Sequence, residues 1–117
     1  MKTQIVRGEV LIPAGGRPTD TADVTIYVED VSRADAPSVV VGEQQFSNIT
    51  LPSDEPLKFE IEVPVDKIDE RRIYSVRAHI DSSRTGEMSQ GDLISTQSYP
   101  VLTRGYGTEV RVNVKRI

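Results

Sequence analysis

The chain of 117 residues carries 18 acidic and 14 basic side chains, for a formal net charge of −4, and it has no cysteine. This length fits one domain spanning residues 1–117, and the lack of cysteine excludes disulfides, thiolate metal ligands and a lipidated cysteine in the sequence as written. Because charges of both signs are interleaved and only 5% of residues are aromatic, the composition argues against a nucleic-acid partner, which needs clustered basic residues and stacking rings.

Apolar and polar residues alternate with a period of two along most of the chain. This pattern predicts β-strands, because successive side chains of a strand point to opposite faces. The predicted strands are IVRGEVLI (5–12), VTIYVE (24–29), 38–49, LKFEIEVPV (57–65), YSVRAHI (74–80), 93–99 and VRVNVK (110–115). About seven short strands separated by turn formers predict an all-β, single-domain antiparallel β-sandwich, similar to immunoglobulin or transthyretin domains.

The third predicted strand begins with three consecutive valines, Val39, Val40 and Val41, so one of its faces presents apolar side chains outside the alternating set. Gln44 and Phe46 continue the same strand. We interpret these five residues as a candidate binding edge, where a partner strand or peptide adds through main-chain hydrogen bonds. The alternative is that a loop such as LPSDEP buries the strand on both faces. An open edge also allows two copies of the chain to pair as a homodimer.

Two residues have a structural interpretation. Tyr74 opens an inward-alternating strand directly after the charged corner ERR, an arrangement typical of the tyrosine corner, in which the hydroxyl bonds to upstream backbone. Pro37 ends the turn SRADAP and holds Ala36 in an extended conformation, which directs the chain into the third strand. In the same turn, Asp30 and Asp35 are interpreted as side chains that bond turn backbone.

No pattern predicts a catalytic residue, a cofactor or a metal site, and the chain is predicted not to be an enzyme. His79, the single histidine, shares a strand face with Asp81, but no nucleophile elbow accompanies them. The loop from Asp81 to Asp92 echoes a calcium-binding loop in length. Its third and fifth positions are Ser83 and Thr85 and not carboxylates, so a hydrophilic hairpin loop is the favoured interpretation.

The alternative to binding a protein segment is binding of a small ligand or carbohydrate. A small-ligand or carbohydrate-binding sandwich uses aromatic rings as platforms, and the candidates here are Tyr27, Tyr99 and Tyr106, which do not cluster in the sequence.

Several irregular phrases resemble one family from about residue 7 to residue 114. They are GEVLIPAGGRP, ADVTIYVEDVSRADAP, LKFEIEV, IYSVRAHID and SYPVLTRG. In this order they are similar to the YbaY-like family of small bacterial envelope lipoproteins, which is grouped with the YscW-type pilot proteins, or chaperones, of type III secretion. The resemblance implies a binding or assembly module without catalytic residues, whose partner is a peptide or protein segment such as that of a secretin or another envelope protein. The lipobox cysteine and leader of many relatives are not present in this sequence.

The compartment stays open at this point. The longest purely apolar run is residues 39–41, against the ~20 residues that span a bilayer, so no transmembrane segment is expected. The N-terminal MKTQIVRGEV has no apolar stretch behind its lysine and is not a signal peptide. The sequence as written therefore predicts a cytoplasmic protein. The alternative is the periplasm or cell envelope, if a leader was removed before residue 1.

Overall fold

A computed structural model describes residues 2–13, 21–33, 36–51, 55–82 and 92–117. Its regular structure consists of strands and one 3₁₀ turn (Val65–Lys67), so the predicted all-β class is confirmed. The described strands are β1 (Thr3–Leu11), β2 (Ala22–Asp30), β3 (Val39–Ile49), β4 (Leu57–Pro64), β5 (Tyr74–Asp81), β6 (Leu93–Ser95), β7 (Pro100–Val101) and β8 (Glu109–Arg116).

The strands form one sheet that is nearly closed into a barrel. Its order is β3-β2-β5-β6-β8-β1-β4, with β7 pairing beside β6 on the edge of β5. The two layers of the expected sandwich are continuous, because β8 pairs with β6 on one side and with β1 on the other. All pairs are antiparallel except β1 with β8, which run parallel. The strands β3 and β4 are left at the two ends of the sheet.

Alternating side chains fill the interior as the sequence predicts. On β2 and β5 the residues Val24, Ile26, Val28, Val76 and Ile80 are all almost completely buried. The opposite layer contributes its own alternating set to the same core, namely Val6, Val10, Leu57, Phe59, Ile61, Val63, Val112 and Val114. Burial of this apolar surface is the main term that stabilises the fold.

Of the predicted strand 93–99, only Leu93–Ser95 (β6) forms a strand, and β7 (Pro100–Val101) begins directly after the predicted range. Here serine side chains replace part of the backbone ladder along β5. Ser95 Oγ accepts a hydrogen bond from Ala78 N at 3.0 Å, and Ser75 Oγ accepts one from Tyr99 N at 2.9 Å. Hydroxyl groups that bond neighbouring backbone compete with regular pairing, which explains the interruption.

Tyr74 fastens the corner loop before β5. Its side chain is buried, its hydroxyl donates to Lys67 O at 3.0 Å, and it accepts from Asp69 N at 2.8 Å. On the exposed side of the loop, hydrogen bonds from the Arg71 side chain and backbone lower the pKa of Asp69 to about 2. One phenol oxygen thus satisfies two backbone groups that a corner leaves without a ladder partner.

Glu29 fastens the turn that leads into β3. This carboxylate is buried although it alternates with core residues, and it accepts hydrogen bonds from Arg77 Nε and Nη2 at 3.0 and 3.1 Å. These bonds raise the pKa of Arg77, whose guanidinium also lies 4.2 Å from the centre of the Tyr27 ring. Ser38 Oγ donates to Glu29 at 2.9 Å, one residue after the exposed Pro37. The turn is therefore anchored from both sides.

Asp30 joins the same turn to the corner loop. It accepts from the Ser32 backbone and hydroxyl at 3.0 and 2.6 Å and from Arg72 at 3.1 Å, while Ser32 Oγ accepts from Ile73 N at 2.8 Å. Burial raises the pKa of Asp30, but the Ser32 and Arg72 hydrogen bonds outweigh it and the pKa is lowered. Asp30 bonds turn backbone as predicted, whereas Asp35 lies outside the described residues.

Candidate functional site

The predicted binding edge coincides with a strand at the end of the sheet. Within the described part of the chain, β3 pairs with β2 alone. Val39 is 61% exposed and Val40 is 42% exposed, so neither is covered on both sides, while residues 52–54 of the loop LPSDEP lie outside the described residues. Val41 is buried because the register shifts between Val40 and Gly42, a β-bulge that turns this extra residue into the core.

The two ends of the sheet are in contact at Gly42. A Cβ built on this glycine would lie 2.8 Å from Ile61 Cγ2 and 3.0 Å from Glu62 O of β4. Such distances leave no room for a side chain, so glycine allows β3 and β4 to come together here. Two residues further along, Gln44 Oε1 accepts a hydrogen bond from Glu60 N at 2.8 Å and satisfies an edge group of β4. We call this contact the seam.

Beyond the seam, a groove of about 700 Å³ lies between β3 and β4. Phe46 of β3 and Phe59 of β4 are its aromatic components, and Val110 and Gly8 complete its apolar part. A Cβ at Gly8 would overlap the carbonyl oxygen of Val110, so the backbone itself forms the surface at this point. The residues that line the groove are Arg7, Gly8, Glu9, Gln44, Phe46, Lys58, Phe59, Glu60, Glu109, Val110 and Arg111.

The charged residues of the groove are balanced. In the register of the three strands, Arg7 faces an acidic residue on each neighbour, Glu60 and Glu109. In the next outward-facing row, Glu9 faces Lys58 and Arg111, and its carboxylate lies 3.8 Å from Arg111. Cross-strand pairs of opposite charge stabilise the sheet and leave little net charge for a ligand. Apolar contact and edge hydrogen bonds are the interactions this site offers.

His79 takes part in a structural contact at the far end of β5. Its Nε2 lies 2.9 Å from Asp92 Oδ2, and the fully buried Asp92 also accepts from the Ser82 backbone and hydroxyl at 3.1 Å. His79, which the sequence places on the same strand face as Asp81, is therefore held by the carboxylate of Asp92, directly before β6. Residues 83–91 of the predicted hairpin loop lie outside the described residues. In the described ranges no three His, Asp or Glu side chains are placed to share a metal ion.

The three candidate tyrosines have different surroundings. Tyr27 lines a small polar pocket of about 230 Å³ with His79 and Asp81, but Arg77 lies over its ring. Tyr99 uses its hydroxyl in the fold, accepting from Asn113 N at 3.0 Å. Tyr106 is 52% exposed in the loop before β8. Two of the three rings therefore already have partners within the chain.

Sequence reasoning identified two of the groove residues, Gln44 and Phe46, and missed the others. Phe59 and Val110 alternate with polar residues in the manner of core residues, so nothing in the pattern separates them from the rest of the core. Gly8 was the single available signal, since a glycine inside a strand often marks a close approach of backbone.

Comparison with known proteins gives two matches. A family model described as a type III secretion system lipoprotein chaperone (YscW) matches residues 1–114. A solved structure, an alternative pilotin from the type II secretion system of Vibrio cholerae, is 29% identical, with a TM-score of 0.77. That match covers 99% of this chain and 100% of the pilotin chain. No curated protein matches the chain.

Proposed function

The chain belongs to the YscW family of type III secretion system lipoprotein chaperones, and from this premise we propose that it is a non-enzymatic module that binds a protein segment and assists its assembly. The pilotin match over nearly the whole chain supports this proposal, since that structure also comes from a secretion system. The family description names a type III system and the similar structure comes from a type II system, so the proposal does not commit to one type of secretion apparatus.

The observation that carries the proposal is the groove beside the free edge of β3. Phe46 and Phe59 offer apolar contact, and Gln44 already shows that a group from a neighbouring strand can satisfy an edge N–H there. A sheet that stops short of closure accepts an added segment at its ends, because both end strands have one edge without a ladder. Val39 and Val40 add exposed apolar surface to the same strand on the other side of the seam, and the buried Val41 anchors the strand to the core.

The chemistry of the groove selects the kind of segment. Its acidic and basic residues cancel in cross-strand pairs, so a strongly charged partner gains little. A segment with apolar side chains at alternate positions and few charges fits best, with one of these side chains against Phe46. A secretin or another envelope protein, the partner class that the family resemblance implies, is the class in which we look for that segment, and the descriptions of the relatives as a secretion chaperone and a pilotin support this choice.

We place the protein in the cell envelope, the second of the two compartments that the sequence left open. The family description as a lipoprotein supports this location. Among the described residues no helix has the length and apolar character to cross a membrane.

Small-ligand or carbohydrate binding is a second candidate. The groove volume of about 700 Å³ falls within the range of small-molecule sites, roughly 300–1,000 Å³. A panel of glycans and small apolar ligands tests this candidate through the melting temperature of the protein. A ligand that raises it, and loses its effect in Phe46→Ala, favours this function over segment binding.

Capture from envelope extracts tests the leading proposal. Tagged wild-type protein, Phe46→Asp and Val40→Asp are cross-linked mildly in the native cells and purified from the membrane fraction. Asn113→Asp, at an exposed position of β8 that does not line the groove, is the matched control. We expect a secretion component to copurify with wild type and with the control and to be lost with both β3 variants, while all four proteins keep their melting transition. Equal capture by all four would refute the assigned site.

A further inference from the structure

The pairing of β4 with β1 shows which backbone groups of β4 face the opening of the sheet. Among the described strands β4 pairs with β1 alone, in a register without a shift. In an antiparallel pair the N–H and C=O groups of every second residue point to the partner strand, and those of the residues between point away. Glu60 N donates to Gln44 Oε1 of β3 at 2.8 Å, so Glu60 points away from β1. By the same alternation Lys58, Glu62 and Pro64 share this orientation.

The part of this edge next to the seam is already blocked. Pro64 has no N–H to offer a partner strand. The carbonyl oxygen of Glu62 lies 3.0 Å from a Cβ built on Gly42, so β3 covers it. Lys58 and Glu60 both line the groove. The stretch of the β4 edge that a partner segment can reach is therefore short, from residue 58 to residue 60.

The side chain of Gln44 occupies this stretch. Its end is an amide, chemically equivalent to a peptide group, and its Oε1 contacts Glu60 N where the main-chain carbonyl of an added strand would lie. The contact is close to solvent, since Glu60 is exposed and Gln44 is half-buried. A hydrogen bond in that position makes only a small net contribution, because water competes for both groups. Another acceptor can therefore displace Gln44 at low cost.

We propose that Gln44 is a latch on the partner site. A bound segment pairs with the edge of β4, its main-chain carbonyl takes the Glu60 N–H, and the released glutamine side chain moves aside. The inference rests on the proposed segment-binding function and adds to it the strand edge, the main-chain donor and the residue that must leave. One acceptor replaces another on the same N–H, so this exchange is close to neutral and apolar contact with Phe46 supplies the selectivity.

The latch also explains how an open edge is kept from unselective pairing. Free strand edges attract other strands through their unpaired main-chain groups. On β4 the proline, the seam and the Gln44 side chain together cover the edge from residue 64 to residue 60. A segment gains access to Glu60 only when its side chains also fit the groove. Gln44 therefore links the exposure of the main-chain donor to recognition of the segment.

A phage-displayed library of random heptapeptides provides the probe. The library is selected on the full chain, and Phe46→Asp identifies the peptides that depend on the groove. One such peptide is synthesised, and its Kd is measured for each variant. Gln44→Leu keeps the size of the side chain and removes the acceptor. The matched control is Gln45→Leu, at the next, exposed residue of β3, which does not line the groove.

We expect Gln44→Leu to bind the peptide about fivefold more tightly than wild type, which corresponds to the net contribution of one hydrogen bond, and Gln45→Leu to bind like wild type. Glu60→Pro removes the shared N–H without removing a ladder bond to β1. It should weaken binding by about fivefold or more and abolish the gain from Gln44→Leu, whereas Glu60→Ala keeps the N–H and should bind like wild type. Melting curves check that each variant is folded. If Glu60→Pro does not fold, amide exchange measured by NMR replaces it, since the peptide should slow exchange of the Glu60 amide proton.

The outcomes separate the latch from the segment-binding function. Peptides that require Phe46 but bind Gln44→Leu no more tightly than wild type would overturn the latch and leave segment binding in place. A gain that persists when Gln44→Leu is combined with Glu60→Pro would assign it to contact with the leucine, and the latch would again be wrong. A selection that yields no peptide, or only peptides indifferent to Phe46→Asp, would refute the groove as a segment site and the latch with it.

Discussion

Replacement of Tyr74 by phenylalanine isolates the contribution of the corner hydroxyl to stability. The ring is 1% exposed and stays in place, so the change removes only the oxygen that donates to Lys67 O at 3.0 Å and accepts from Asp69 N at 2.8 Å. Each net hydrogen bond contributes about 1 kcal/mol, so Tyr74→Phe should lower the free energy of unfolding by about 2 kcal/mol. For a domain of this size that corresponds to a fall in melting temperature of about 8 °C.

The other tyrosines provide graded controls for this measurement. Tyr99 is only partly buried and its hydroxyl bonds one residue, Asn113, at 3.0 and 3.3 Å, so Tyr99→Phe should cost about 1 kcal/mol or less. Tyr106 is 52% exposed, and Tyr106→Phe should stay within about 0.5 kcal/mol of wild type. Urea unfolding followed by circular dichroism gives all three values. If Tyr74→Phe proved as stable as Tyr106→Phe, the assigned role of the corner hydroxyl would be refuted.

Three further changes test the anchoring of β3 and the seam. Glu29→Ala removes the group that accepts hydrogen bonds from Arg77 and Ser38, and it should lower the free energy of unfolding in urea by about 1–2 kcal/mol. The loss stays below that of a fully buried pair because Arg77 is partly exposed. An unchanged unfolding transition would contradict the anchoring role. Asp30 has a lowered pKa in the folded state, so its contribution is present above the ordinary carboxyl range near 3.8 and is lost as the pH falls through the folded value. Asp30→Asn should therefore flatten the loss of stability measured between neutral and acid pH, and a parallel pH profile would count against this reasoning. Gly42→Val places a side chain against β4 and should destabilise the fold by about 1–3 kcal/mol, and a thermal melt equal to that of wild type would show that the seam is not close-packed.

The sequence predicts the strands well because alternation reports directly which face of a strand is buried. Val24, Ile26 and Val28 were assigned to the core by this pattern and are completely buried. Alternation does not name the partner of a strand, so the parallel pairing of β1 with β8 and the near closure of the barrel were not predicted. Those features depend on contacts between residues that are far apart in the sequence.

The candidate site was likewise predictable only where the local sequence pattern carries the information. Gln44 and Phe46 were identified because a run of valines indicated surplus apolar surface on their strand, and both line the groove. The burial of Val41 depends on a bulge that only the pairing with β2 reveals, and the burial of Glu29 depends on Arg77, which is 48 residues away. Phe59 has the pattern of an ordinary core residue, and only the opening between β3 and β4 makes it part of a groove.

Photo-cross-linking from the groove tests the central claim most directly. A photoreactive phenylalanine analogue replaces Phe46 in the native cells, and in a second strain it replaces Tyr106 in the exposed β7–β8 loop as an accessible control. The account predicts a covalent adduct with a secretion-channel or other envelope protein from position 46 and not from position 106. No adduct at position 46, or the same protein adducts at both positions, would contradict the assignment of the groove as the partner site.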